Sequence, residues 1–538
     1  MKTLGQDLRG ALRLVTGNPG FATAVVVTFA IGIGANTAIF SFVHALLLRP
    51  LPFREAERLV WVRSIRGGEV GRLSRPELED VKRLAAFEDA AGFHNAEYNL
   101  AEGGAPEALA ATLTTANLFE LLGVELLYGE TWPESHDRTR QFSIVLNHGL
   151  WRRRFGGDPA VVGTSITLAN APGYTIVGIL PPGFTFPTDV DLFRSIGISP
   201  DPMSYENRES RGVLVIARLA PDVSYARARA ELSELAARLE RSFPESNAGI
   251  TFALQPLRDA FVGDVRPYLL LLTGAAGFVL LMAATNVVNL LLSRGAARSH
   301  ELALRRALGA SRGRLARQLV VESLVLALAG GAFGCVLAWG LVRAVDDTLR
   351  IDLPFWLNVE LSFPVLAFTI VVSIAAGVLA GAAPALSTRL DSQDGLKDGV
   401  RGATSGRSAG QLRRVLVASQ IAFALVLLAG AGLMVRTFIE LQRVDLGFNP
   451  ENLLTLRVDP PWNKYGNLET ITPFYRAVLS ELQSIPGVEA AATNQYLPLP
   501  ANQQQEAVHE VVFTLEGQSP VEQQENPFAK LQLVSPSY

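Results

Sequence analysis

The 538-residue chain is 49% hydrophobic and 18% charged, and its mean hydropathy is positive. Soluble globular domains usually carry about a quarter charged residues, so the composition fits a membrane protein with a sizeable soluble part. The formal net charge of −3 says nothing about nucleic acid, since the local distribution of charge matters more, and no nucleic-acid partner is expected; the single cysteine, Cys335, excludes an intrachain disulfide and a cysteine-based metal cluster.

In chain order, the N-terminal 1–20 carries Lys2, Arg9 and Arg13 and precedes the first of five long apolar stretches. A helix needs about 20 apolar residues to cross a bilayer core, and 21–48, 267–293, 318–342, 361–386 and 415–435 all qualify. The first holds Gly32, Gly34 and Asn36. It is too long for the apolar core of a signal peptide, and no small-residue cleavage site follows. The second is uncharged from Tyr268 to Ser293, the third is entered through Glu322, and the fourth is expected to close at Pro384. A charge at mid-membrane costs roughly 2.5–3.5 kcal/mol, which makes such clean windows poor loops. Gly330 and Gly334 in the third stretch, and Gly377 and Gly381 in the fourth, form GxxxG pairs that are expected to pack helices closely. Asn286 and Asn289 in the second are expected to face other helices.

Positive residues mark the cytoplasmic side. With the N-terminus inside, 49–266 lies outside. The connection 294–317 (Arg294, Arg298, Arg305, Arg306, Arg312, Arg314 and Arg317 against Glu301) lies inside. Residues 343–360, rich in Asp346, Asp347, Asp352 and Glu360, lie outside again. The basic 387–414 lies inside and 436–538 outside. The alternation holds at every connection, so the chain reads as a multi-pass membrane protein.

Residues 49–266 alternate strand and helix signals. Leu59–Val62 is a β-type run. Ser74, Pro76 and Glu77 form a capping box that starts a helix expected to reach about Ala86. Strands are expected at 144–146, 165–168, 174–179, 213–219 and 250–257, and a helix at 225–243. His94, His136 and His148 are scattered without metal-ligand spacing, and no serine has the context of a nucleophile. No catalytic residue, cofactor or metal is expected, and no phosphate-binding Gly-x-x-x-x-Gly-Lys-Ser/Thr loop occurs.

The segment after the first span resembles that after the fifth: Phe53 matches Phe448 and Leu59 matches Leu454 at one offset, and each segment is expected to enter a strand and then a helix. Leu113–Asn117 resembles the stretch from Leu533 to Ser537. This predicts a parallel internal repeat whose second copy is incomplete, within a longer polypeptide.

The connection 294–317 is the most informative stretch. Ser299 is placed to cap a short helix, Gly309 to end it and Ser311 to cap the next. With HELALRRALGASRGRL from His300 to Leu315 and the pair Glu322–Ser323, it resembles the signature of FtsX-like ABC transporter permeases. The runs LWRRRFGGD from Leu150 and VGILPPGF from Val177 resemble the extracytoplasmic core domain of MacB-type permeases, and the duplicated layout resembles the duplicated permeases of acidobacteria. The implied fold is an α-helical membrane protein with an inserted α+β periplasmic domain, like type VII ABC permeases, with an incomplete second repeat. The resemblance implies that the connection is a coupling helix and that Glu301, Arg305, Arg306, Gly309 and Arg312 contact or support a cytoplasmic ABC ATPase. It also implies a place in a bacterial inner membrane, membrane lipid as surroundings and a dimer or pseudo-dimer of permease halves. Since no ATP-binding loop occurs in this sequence, a separate ATPase is expected, or an orphan permease that works without one. The implied function is efflux or extraction of an amphiphile, lipoprotein or peptide by force transmission. The alternative is a transmembrane signalling or scaffold protein that regulates a cell-envelope enzyme.

Overall fold

The structure is a computed structural model. It describes residues 13, 16–100, 107–138, 141–168, 171–198, 207–263, 265–297, 312–349, 359–394, 407–444, 449, 452–456, 458, 460, 465, 467–494, 509–512, 528–531, 534 and 535. The elements run α1 (Pro19–Val43), β1 (Leu59–Arg66), β2 (Glu69–Gly71), α2 (Arg75–Lys82), β3 (Phe87–Leu100), β4 (Glu107–Thr114), α3 (Leu118–Leu122), β5 (Tyr128–Gly129), β6 (Ser143–Leu146), α4 (His148–Phe155), β7 (Ser165–Leu168), β8 (Ala171–Ile179), β9 (Leu192–Ser195) and β10 (Leu214–Leu219). They continue α5 (Tyr225–Ser242), α6 (Pro244–Asn247), β11 (Ile250–Pro256), α7 (Leu257–Val262), α8 (Arg266–Ala297), α9 (Arg312–Leu349), α10 (Phe363–Asp394), α11 (Arg407–Gln442), α12 (Leu468–Ser484), β12 (His509–Val512) and β13 (Phe528–Leu531). The chain divides into a helical unit and a sheet-rich unit.

The helical unit holds five helices long and apolar enough to cross a membrane: Pro19–Leu48, Arg266–Arg294, Ala316–Val345, Phe363–Ala382 and Arg414–Gln442. Its core joins Val25, Phe29 and Ile33 of α1 to Val287 and Leu291 of α8, Leu326 and Ala327 of α9, and Ala376 and Ala380 of α10. Apolar residues run round the whole circumference of these helices, as expected where lipid replaces water. No residue in the apolar stretch of α11 is buried. It meets α8 through stacked rings of Phe278 and Phe423. The fourth helix does not close at Pro384. Its backbone stays helical to Asp394, because neighbouring helices and local adjustment tolerate the lost N–H of proline in membrane helices better than soluble helices do.

The sheet-rich unit is built on eleven strands in the order β11-β1-β10-β3-β4-β9-β6-β8-β5, with β2 on β1 and β7 joining β3 and β8. Two apolar cores form on it. In one, Leu232, Leu235 and Leu239 of α5 and Leu78 and Val81 of α2 cover β1, β10 and β11. In the other, Leu150 and Trp151 of α4 cover Ile144, Leu146 and Ile176. Ser74 caps α2 as its spacing predicts, and Glu77 completes the box. The helix ends at Lys82, short of Ala86, because turns at Leu84 and Phe87 (amides bonded to Val81 and Leu84) hand the chain to β3. The longest strand, β3, carries little β propensity at Ala90, Ala91 and Gly92. Antiparallel pairing with β10 on one side and β4 on the other holds it extended. In residues 454–538, α12 forms at the expected place. The strand expected at Leu454 is not one: residues 453–456 are irregular and Leu454 is 91% exposed. Its counterpart β1 is a strand because β10 and β11 flank it.

Candidate functional site: glycine seams beside a basic connection

Two seams of glycine hold α9 in the helical unit. Along the first, a Cβ on Gly330 would lie 2.5 Å from Phe29 Cβ of α1, and one on Gly334 would lie 3.0 Å from the amide nitrogen of Gly34. The backbones of α1 and α9 therefore touch at Gly34 and Gly334, an approach that no larger residue permits. Along the second, a Cβ on Gly377 would lie 2.9 Å from Leu324 Cα, and one on Gly381 would lie 2.7 Å from Val320 Cα. So α1 and α10 grip adjacent flanks of α9. Gly331, which has no GxxxG partner, faces Ser373 of α10 and was not legible as a contact. Gly34 was visible only as a glycine inside the first stretch.

Polar groups pin the same helices. Asn36 Nδ2 donates to the carbonyls of Gly32 at 2.9 Å and, across to α8, of Ala276 at 2.7 Å. Thr37 Oγ1 and Thr369 Oγ1 share a 3.0 Å hydrogen bond between α1 and α10. Bonds of this kind contribute on average about 0.6 kcal/mol in a bilayer, so close packing dominates and the polar groups set register. Asn286 accepts from Gln420 Nε2 of α11 at 2.8 Å, while the buried Asn289 Oδ1 has no hydrogen-bond partner. Glu322 is buried and accepts from Gln318 Nε2 at 3.0 Å.

The basic connection joins α8 to α9. Arg312 opens α9. Glu301, Arg305, Arg306 and Gly309, together with the expected caps Ser299 and Ser311, lie outside the described residues. In the sheet-rich unit the histidines stay apart. His136 Nδ1 meets Ser143 Oγ at 3.1 Å, His148 stands edge-on to Trp151, and His94 is in β3. No cluster of three His, Cys, Asp or Glu side chains fit to hold a metal occurs among the described residues.

A bundle of membrane-length helices with a large α+β domain inserted after its first helix, and helices packed backbone to backbone, fits an inner-membrane permease with an inserted periplasmic domain. The MacB-like periplasmic core domain matches residues 23–235 and the FtsX-like permease C-terminal domain matches residues 273–390. The chain belongs to this FtsX-like, MacB-type family of ABC transporter permeases. Among curated relatives, it is 22% identical over 235 residues to the macrolide export ATP-binding/permease protein MacB of Bdellovibrio bacteriovorus, covering 41% of this chain and 34% of that one. It is 24% identical over 224 residues to the pyoverdine export ATP-binding/permease protein PvdT of Pseudomonas savastanoi pv. phaseolicola, covering 40% and 33%. An uncharacterized ABC transporter permease of Bacillus subtilis, YknZ, is 35% identical over 82 residues, covering 15% and 21%. The chain thus spans about a third of the length of the curated export proteins it matches. The periplasmic region of MacB from Actinobacillus actinomycetemcomitans aligns with a TM-score of 0.32 at 12% identity, covering 42% of this chain and 97% of that structure.

Proposed function

We propose that this chain is the membrane part of an ABC exporter that converts ATP-driven motion at the cytoplasmic face into movement of its periplasmic domain, driving efflux or extraction of an amphiphile, lipoprotein or peptide. The N-terminus is cytoplasmic, residues 49–266 and 436–538 are periplasmic, and 294–317 is the coupling region that receives a partner ATPase through Glu301, Arg305, Arg306, Gly309 and Arg312. The relatives that are named as export ATP-binding/permease proteins support the ATPase partner and the direction of transport.

The observation that carries the reading is the double glycine seam on α9, the helix that leads directly out of the basic connection. A helix touching α1 and α10 backbone to backbone has no soft side-chain layer on those flanks to absorb displacement. A push at its start is therefore passed to its neighbours, since packed helices repack between discrete arrangements and do not deform continuously. The membrane-length helices offer few charges, so force transmission suits them better than a polar conduit.

Charge reversal at Arg305 and Arg306 (Arg305→Glu with Arg306→Glu) tests it. ATP hydrolysis by the co-purified ATPase should lose its dependence on the permease while membrane insertion is unchanged. Full stimulation by the doubly reversed protein would remove this segment from its role.

A further inference from the structure

Three arginines packed into the sheet-rich unit have their guanidinium ends answered by carboxylates or backbone carbonyls, and a fourth does not. Arg75 donates to the carbonyls of Asp137 and Ile196 at 2.8 and 3.2 Å. Arg211 pairs with Glu77 at 2.8 Å. Arg218 donates to Arg54 and Leu121 carbonyls and lies 3.6 Å from the Glu55 carboxylate. The exception is Arg194 of β9, which is 3% exposed in the middle of the sheet between β4 and β6.

Register places its neighbours. His94 of β3 stands opposite Leu113 of β4, and Leu113 stands level with Arg194, so all three share a face, as does Tyr98 by alternation. The Arg194 guanidinium lies 4.7 Å from the ring centroid of Tyr98 and 6.0 Å from that of Tyr174. Its Nη1 donates to the Tyr174 hydroxyl at 2.8 Å. Its buried Nε donates to nothing, and no acidic side chain among the described residues forms an ion pair with it. The nearby buried acid Asp137 is engaged from the other face. It accepts from Ser195 Oγ at 3.0 Å, the Ala116 amide at 2.8 Å and Trp132 Nε1 at 3.2 Å. His94 Nδ1 is also buried without a partner. Burial first, then Arg194, Arg72 and Arg75, hold this imidazole down at about 3, so it is neutral and has an N–H to donate.

A buried cation costs several kcal/mol unless it is paired. Stacking on a tyrosine returns part of that cost and leaves the charge itself unbalanced. Buried donors left without partners point to a partner outside the chain. We propose that Arg194, flanked by Tyr98, Tyr174 and His94, binds a small oxyanion, which accepts a hydrogen bond from the Arg194 Nε–H and completes the charge balance of this face. The inference is independent of the transport reading.

Equilibrium dialysis of radiolabelled inorganic phosphate against the full chain in detergent, at ionic strength held constant with chloride, tests it. The expected result is one phosphate per chain, displaced by sulfate. Displacement by acetate as well would mark the site as general for oxyanions, whereas phosphate and sulfate alone would mark it as tetrahedral. Arg194→Gln should abolish binding. Tyr174→Phe, which removes one orienting hydrogen bond of about 1 kcal/mol, should weaken it about fivefold and serves where Arg194→Gln does not fold. Absence of saturable binding of all three anions to the wild type, or unchanged binding in both variants, would overturn the assignment.

Discussion

Alanine at Gly330 and alanine at Gly430 should shift the stability of the helical unit in opposite directions. At Gly330 the added Cβ would stand 2.5 Å from Phe29 Cβ, whereas ordinary contact begins at 3.4 Å. The seam must therefore open by about 0.9 Å (3.4 minus 2.5). Phe29 Cβ is fixed to its backbone and cannot swing aside, so α1 and α9 must separate along the stretch where Gly34 and Gly334 touch. Overpacking of this kind costs about 1–3 kcal/mol. Exchanging glycine for alanine inside a helix returns about 0.5–1 kcal/mol, which leaves a net loss of up to roughly 2.5 kcal/mol. At Gly430 of α11 nothing lies within 4 Å, so only the propensity gain remains and the change is neutral to stabilising by up to about 1 kcal/mol. Propensity cancels in the difference between the two variants, which isolates the seam at about 1–3 kcal/mol. Unfolding of each protein in mixed micelles by added dodecyl sulfate, followed by tryptophan fluorescence and helical circular dichroism, measures that difference. Equal midpoints for Gly330→Ala and Gly430→Ala would refute the argument that backbone contact locks α9.

Other outcomes follow from the same structure. Glu77 is fully buried and binds Arg211 at 2.8 Å, Asn247 Nδ2 at 2.7 Å and the Ser74 amide at 2.7 Å. Glu77→Ala strands those partners and should cost about 3–5 kcal/mol, against about 1 kcal/mol for Ser74→Ala, which removes one cap bond; similar melting points for the two would count against this. His94 takes its proton near pH 6.5 when unfolded but only near 3 when folded. The unfolded chain therefore binds the extra proton in that window, and stability falls as pH drops from 6.5 towards 3, by at most about 1.4 kcal/mol per unit. His94→Asn should flatten the melting-point profile between pH 7.5 and 5, and an unaltered profile would show that the ring is not held neutral. A reporter enzyme fused after Gly173 should be active in the periplasm, and one after Ser405 in the cytoplasm; the reverse pattern would invert the topology.

Much of this protein is written in local chemistry. Length and apolarity alone delimit the five membrane-length helices, because insertion free energy adds up residue by residue along a helix. The capping box at Ser74 and the period of Leu232, Leu235 and Leu239 define α2 and α5 for the same reason, since their determinants lie within a few positions of one another. The basic connection and its resemblance to FtsX-like permeases were likewise legible from residue order.

Tertiary structure decided the rest. Ala91 is in a strand because Ile216, 125 positions away, completes its ladder, and the stretch at Leu454 pairs with no strand among the described residues and is irregular. A glycine pair states that a close approach is possible but not to what: Gly334 meets α1, Gly377 meets α9 from α10, and Gly331 packs on Ser373 without belonging to any motif. Pro384 continues its helix. Arg194 reads as one more charged residue until the sheet closes over it with no ion-pair partner among the described residues. In each case the deciding free energy belongs to a contact between distant segments, which local pattern cannot contain.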